Sequence, residues 1–160
     1  MAHAHLATYL NDHLAGSVVA IGLMERLEST YEGTEIQAIV KGVRTEVEKD
    51  RAVLEGLIDR IDSVSAPRKA AGWIAERAAE IKFGVDDSKN GTLRLLESTE
   101  IISLGIEGKR SLWRALAIAA DLSPALGGIN YTELIGRAEA QREQIETVRL
   151  GAARAALGEA

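Results

Sequence analysis

The stretch "LLESTEIISLGIEGKRSLW", Leu95 to Trp113, decides how this chain folds. It contains no proline and no alternating pattern of the strand kind, so it reads as one helix. Its three glutamates, Glu97, Glu100 and Glu107, fall on the same side as Leu93, Leu104 and Ser111. Advancing by about 100° per residue separates two apolar stripes on this helix. One is Leu93, Leu104, Ala115, Ile118 and Leu122, and it carries the glutamates; the other is Leu95, Ile102, Ile106, Trp113 and Ala117. A helix apolar on two sides is covered on two sides.

Helical periodicity continues outward in both directions, and the breaks between helices are readable. The first helix runs from Ala4 to Ser29 and ends at "STYEGT"; the second runs from Thr34 to Asp62. Ser65 then caps a shorter third helix with Pro67 in its first turn, a placement that suits proline. That helix ends near Phe83 and Gly84, and "VDDSKNGT" follows as a polar loop. The fourth helix covers Thr92 to Asp121. "SPALGGIN" breaks the chain again, and Asn130 or Thr132 caps a fifth helix that runs to Leu157. The four long helices each span roughly 40 Å. The short turn between the first two makes them antiparallel. With the third helix as a crossover, the fourth runs parallel to the second and the fifth antiparallel to the fourth.

Composition narrows the class. Hydrophobic residues make up 46% of 160 positions and aromatics only 4%, which suits one domain, residues 1–160, packed by aliphatic side chains. There is no cysteine. A disulfide framework and thiolate metal sites are therefore excluded, and a reducing cytoplasm is the expected setting. The net charge of −5 comes from interspersed acids and bases, with no basic stripe for a nucleic acid. The longest uncharged stretch, "LAGSVVAIGLM" from Leu14 to Met24, is too short to span a bilayer. The N-terminus has no basic segment of the secretory kind.

Polar residues interrupt the inward stripes. His13 and Ser17 lie among Leu6, Leu10, Leu14, Ile21 and Met24 on the first helix. Asp50 lies near the middle of the stripe from Ile36 to Ile61 on the second. Gln141, Arg142 and Arg149 share a face with Leu134, Ala138 and Ile145 on the fifth. With the three glutamates, these groups are expected to meet in one interior. A buried unpaired carboxylate costs several kcal/mol or takes up a proton, so such groups are paired, protonated, metal-bound or wet. Glu100 and Glu107 are seven apart, as are Arg142 and Arg149. On antiparallel neighbours the two pairs face each other in two layers, and the guanidinium fork suits carboxylate pairing. The expectation is an interior ion-pair network of Asp50, Glu97, Glu100, Glu107, Arg142 and Arg149. The alternative is an iron or manganese site built from His13, Asp50, Glu97, Glu100 and Glu107. A small-ligand pocket is a third reading. Ser17 and His13, one turn apart, do not make a nucleophile and base, because one helical turn supplies no oxyanion hole. Gly105 and Gly108 read as close-packing positions, since the strand and loop of a phosphate-binding motif are missing.

In architecture, across nearly all of its length, the chain resembles the ferritin-like superfamily. Diiron members of that family supply one Glu from each of two helices and Glu-x-x-His from each of the other two. The corresponding motifs here are "EKDR" (Glu48 to Arg51) and "EAQR" (Glu139 to Arg142), both Glu-x-x-Arg, and the only histidines are His3, His5 and His13. Arginine has no lone pair to offer a cation. The resemblance implies an all-α, ferritin-like four-helix bundle with a short crossover helix between the second and third long helices. It implies a non-catalytic bundle of the uncharacterised bacterial kind, without a cofactor, with a metal-binding protein or oxidoreductase as the alternative. The doubly apolar fourth helix adds the expectation of a homo-oligomer, a homodimer in the simplest case.

Overall fold

A computed structural model describes residues 2–62 and 91–158. Among them the chain is helical and has no strand. Four long helices are present: α1 (Ala2–Thr30), α2 (Glu35–Asp62), α3 (Thr92–Ala119) and α4 (Tyr131–Leu157). A single 3-10 turn, Pro124–Leu126, lies between α3 and α4. The shorter third helix expected from Ser65 to Gly84, with Trp73, Ile74 and Ile81, lies outside the described residues.

Local chemistry sets the breaks. Gly33 at φ 75° turns the chain out of α1. The Thr34 hydroxyl then accepts from the Gln37 amide at 3.3 Å, while the Gln37 side chain accepts from the Gly33 amide at 2.9 Å. The first bond satisfies a donor that the start of a helix leaves free, and the second fastens the turn at Gly33 to the helix. At α4, Asn130 rather than Thr132 is the cap, its side chain accepting from Glu133 N–H at 3.2 Å. α3 stops at Ala119, two residues before the expected end.

The order of the helices follows from which ones touch. α1 packs on α2 and α3, α4 packs on α2 and α3, and the pairs α2/α3 and α1/α4 lie diagonally opposite. Two apolar clusters give the directions. Met24, Leu27, Val40, Val43, Leu95, Ile102 and Ile145 belong to one; Leu10, Leu57, Ile61, Leu112, Trp113 and Leu134 belong to the other. α1 and α4 therefore run one way and α2 and α3 the other, so every pair of touching helices is antiparallel. Between the two clusters the interior is polar: Asp50 is 0% exposed and Gln141 2%.

The face that α3 buries differs from the expected one. Leu95, Ile102, Ile106 and Trp113 are buried and form the core side. The stripe with the glutamates faces outward: Leu104 is 72%, Ile118 77% and Leu122 89% exposed. Both stripes have helical period, and period alone does not say which one meets the other helices. α1 and α2 offer Asp50 as the polar group in their core, and the stripe that carries Lys109 fits it.

Candidate functional site

Asp50 is the centre of the interior polar layer. Being near the middle of α2, it is held at the junction of the two apolar clusters. Its Oδ2 accepts from Lys109 Nζ of α3 at 2.5 Å and from Gln141 Nε2 of α4 at 3.1 Å. Its Oδ1 accepts from the Arg137 guanidinium of α4. Lys109 also donates to Gln141 Oε1 at 2.5 Å, so carboxylate, ammonium and amide close a triangle. Arg137 reaches outward to Glu133 at 3.7 Å. Burial pushes the Lys109 ammonium below its ordinary range, and the Asp50 carboxylate opposes that shift. The pairing is what makes a fully buried carboxylate tolerable here.

The remaining acidic and basic residues expected inside are placed elsewhere. Arg142 donates to Glu107 at 2.6 Å, and Arg149 lies 3.4 Å from Glu100. This is the antiparallel two-layer pairing, but on the outside of the α3–α4 pair. The Arg142 side chain is 41% exposed, Glu107 34% and Glu100 48%. The expectation that these four groups are buried is thus corrected: their seam faces solvent, where ion pairs are worth at most about 1 kcal/mol. Arg110 shares Glu107 at 2.9 Å and holds its carboxyl below the usual range. Arg149 also pairs with Glu146 at 2.7 Å. Glu97 is half-buried, and its Oε2 has no hydrogen-bond partner among the described residues.

The carboxylate and histidine set, His13, Asp50, Glu97, Glu100 and Glu107, does not converge. Among the described residues, no three His, Asp or Glu side chains are grouped as a metal ion would need. Asp50 is occupied by two cations, and Glu100 and Glu107 lie on a different face from His13. The two Glu-x-x-Arg motifs are surface features: Glu48 pairs with Arg44 at 2.6 Å and Glu139 with Arg110 at 3.0 Å. His13 stands edge-on to Tyr9 with ring centroids 4.8 Å apart. Ser17 donates back to the Leu14 carbonyl at 2.6 Å, a local helical bond. Burial lowers the His13 pKa, with Asp12 opposing.

Sequence reasoning missed Lys109 and Arg137. Lys109 stands at helical spacing from Ile102, Ile106 and Trp113, and Arg137 one turn before Gln141. Opposite charge at matching depth on three inner stripes was the available signal.

A cavity of about 200 Å³ opens beside the polar layer, between α1, α2 and α3. Lys109 and Asp50 reach one side of it, His13 and Ser17 another, and Gly16, Gly105 and Gly108 also line it. No helix among the described residues is long and apolar enough to cross a membrane. Comparison with protein-family models, with curated proteins and with solved structures returns no match to this chain.

Proposed function

We propose that the protein is a ferritin-like helical bundle that works without catalysis, its interior held by a charge network where metal-holding bundles place their ligands. The observation that carries this reading is the environment of Asp50. A carboxylate at the middle of the bundle is fully buried and shared by Lys109, Arg137 and Gln141. The charge that a cation would bring is already supplied by two side chains. Such a network fixes register more than it adds stability, because desolvation offsets most of the attraction.

The order of the helices supports the ferritin-like assignment. α2 and α3 run parallel on one diagonal and α1 and α4 on the other, the helix directions expected of such a bundle. The bundle is read as a bacterial protein of a reducing cytoplasm and as a homo-oligomer. The exposed row Leu104, Ile118 and Leu122 supports the last of these.

Elemental analysis of protein purified without added metal tests the central claim. Well under one iron, manganese or zinc per chain is expected, with no rise in melting temperature on adding Fe(II) or Mn(II). Stoichiometric metal, or a rise of several degrees, refutes the reading, because a ligand that binds only the folded state stabilises it by mass action.

A further inference from the structure

Helices α1 and α3 come close at one level of the bundle and leave space at the next. A Cβ on Gly105 would lie 3.9 Å from the Ala20 Cβ, an ordinary contact. A Cβ on Gly16 or on Gly108 would meet nothing within 4 Å. The space between is the cavity of about 200 Å³. It exceeds the roughly 150 Å³ engineered cavity that takes up benzene.

Val47, Leu54, Ile106 and Leu112 give it aliphatic walls, Trp113 belongs to the same lining, and Asp12 and Arg51 lie at it as well. The Trp113 indole N–H is buried and has no acceptor among the described residues. One side is charged. An ammonium has three N–H donors, and Lys109 uses one on Asp50 and one on Gln141, leaving one uncommitted. The rest of the network is paired: Asp50 faces Lys109 and Arg137, and Arg137 also meets Glu133 at 3.7 Å.

We infer that this cavity is a binding site for a small monocarboxylate with a compact apolar body. The apolar body fills the space between Gly16 and Gly108. The carboxylate takes the free N–H of Lys109. A half-buried His13 lines the opposite side, against the apolar body. The site needs no metal, so it stands or falls independently of the metal-free reading above.

Benzoate is the probe, with benzyl alcohol as the same body without the charge. Binding is followed by calorimetry and by the indole N–H resonance of Trp113, assigned with Trp113→Phe. One benzoate per chain is expected, with Kd below about 1 mM and binding at least about tenfold tighter than benzyl alcohol. Gly16→Leu and Gly108→Leu plug the space from opposite walls with a better helix former. Each is expected to abolish binding with the melting temperature held or raised. Lys109→Met is expected to erase the preference for benzoate over benzyl alcohol. No saturable binding of benzoate up to about 10 mM overturns the inference, as does equal binding of the two probes. Unchanged binding in both plugged variants overturns it too, since the benzoate would then sit elsewhere.

Discussion

At the scale of single residues, burial decides which ion pairs matter. Asp50 and Arg142 are both paired acceptors or donors, yet their surroundings differ. Asp50 is 0% exposed, and Asp50→Asn leaves Lys109 and Arg137 facing each other without the charge that holds them. Urea unfolding should show a loss of about 3–5 kcal/mol, the usual cost of removing one partner from a buried pair. Arg142→Ala breaks a pair with both partners more than a third exposed, and it should cost within about 1 kcal/mol. The same measurement on both variants checks the contrast, and equal losses would contradict it. His13 gives a pH dependence of definite sign. Its pKa is lowered from 6.5 by burial, so the unfolded chain takes up the proton first as pH falls. The stability it contributes is complete above about 6.5 and is lost as pH falls through the folded value. His13→Asn should remove that part of the acid sensitivity in unfolding curves recorded between pH 5 and pH 7.5. Asp50 and Gln141 were legible as inward polar groups because their Cα positions lie on the stripes. Lys109 was harder to read, since a long stem lets the ammonium sit several ångströms from its Cα. The outward placement of Glu100, Glu107, Arg142 and Arg149 was not legible, because facing helices at the correct register look alike on the inside and the outside of a pair.

At the scale of elements, the bounds of the four described helices were readable to within two residues, because caps are local chemistry. Thr34 and Asn130 each satisfy a helix start with their own side chains. The start of α3 is built differently. Gly91 stands at φ 63°, in the left-handed region, and caps no amide with a side chain. Its carbonyl accepts from the Tyr31 hydroxyl at 3.1 Å, tying the start of α3 to the end of α1. A side chain at this position meets strain and a neighbour together, since a Cβ would lie 3.3 Å from Tyr31 Oη. Gly91→Ala should cost about 1–2 kcal/mol, read by thermal or urea unfolding. A Gly91→Ala protein as stable as the parent would show that the left-handed turn is dispensable. What local chemistry left open was the orientation of α3 about its own axis. Both of its stripes are apolar, so only the identity of the opposing side chains selects between them.

For the whole molecule, the outward stripe of α3 is the feature that remains to be accounted for. Leu93, Glu97, Glu100, Leu104, Glu107, Ser111, Ala115 and Ile118 follow one another at intervals of three and four, as on the seam of a coiled coil. Monomeric proteins rarely leave large apolar side chains contiguous and exposed. Sedimentation equilibrium should therefore give a dimer, and Leu104→Glu with Ile118→Lys should return it to a monomer without loss of helical content. A parent mass that stays monomeric at every concentration refutes this.

The polar layer is also divided between two hairpins. Asp50 is on the α1–α2 hairpin, while Lys109, Arg137 and Gln141 are on the α3–α4 hairpin. The first hairpin closes over a short turn and the second over residues 120–130, but neither holds a complete set of partners, so half of a lock waits on each side. Docking shifted by one heptad would set the aspartate against aliphatic side chains and leave the two cations unmatched. The layer thus acts as a proofreading step in assembly, rejecting near-miss alignments that an all-aliphatic interior would tolerate. Two fragments, 1–62 and 91–160, mixed in solution should on this account recombine in one register, and should lose that selectivity when the aspartate is replaced by leucine.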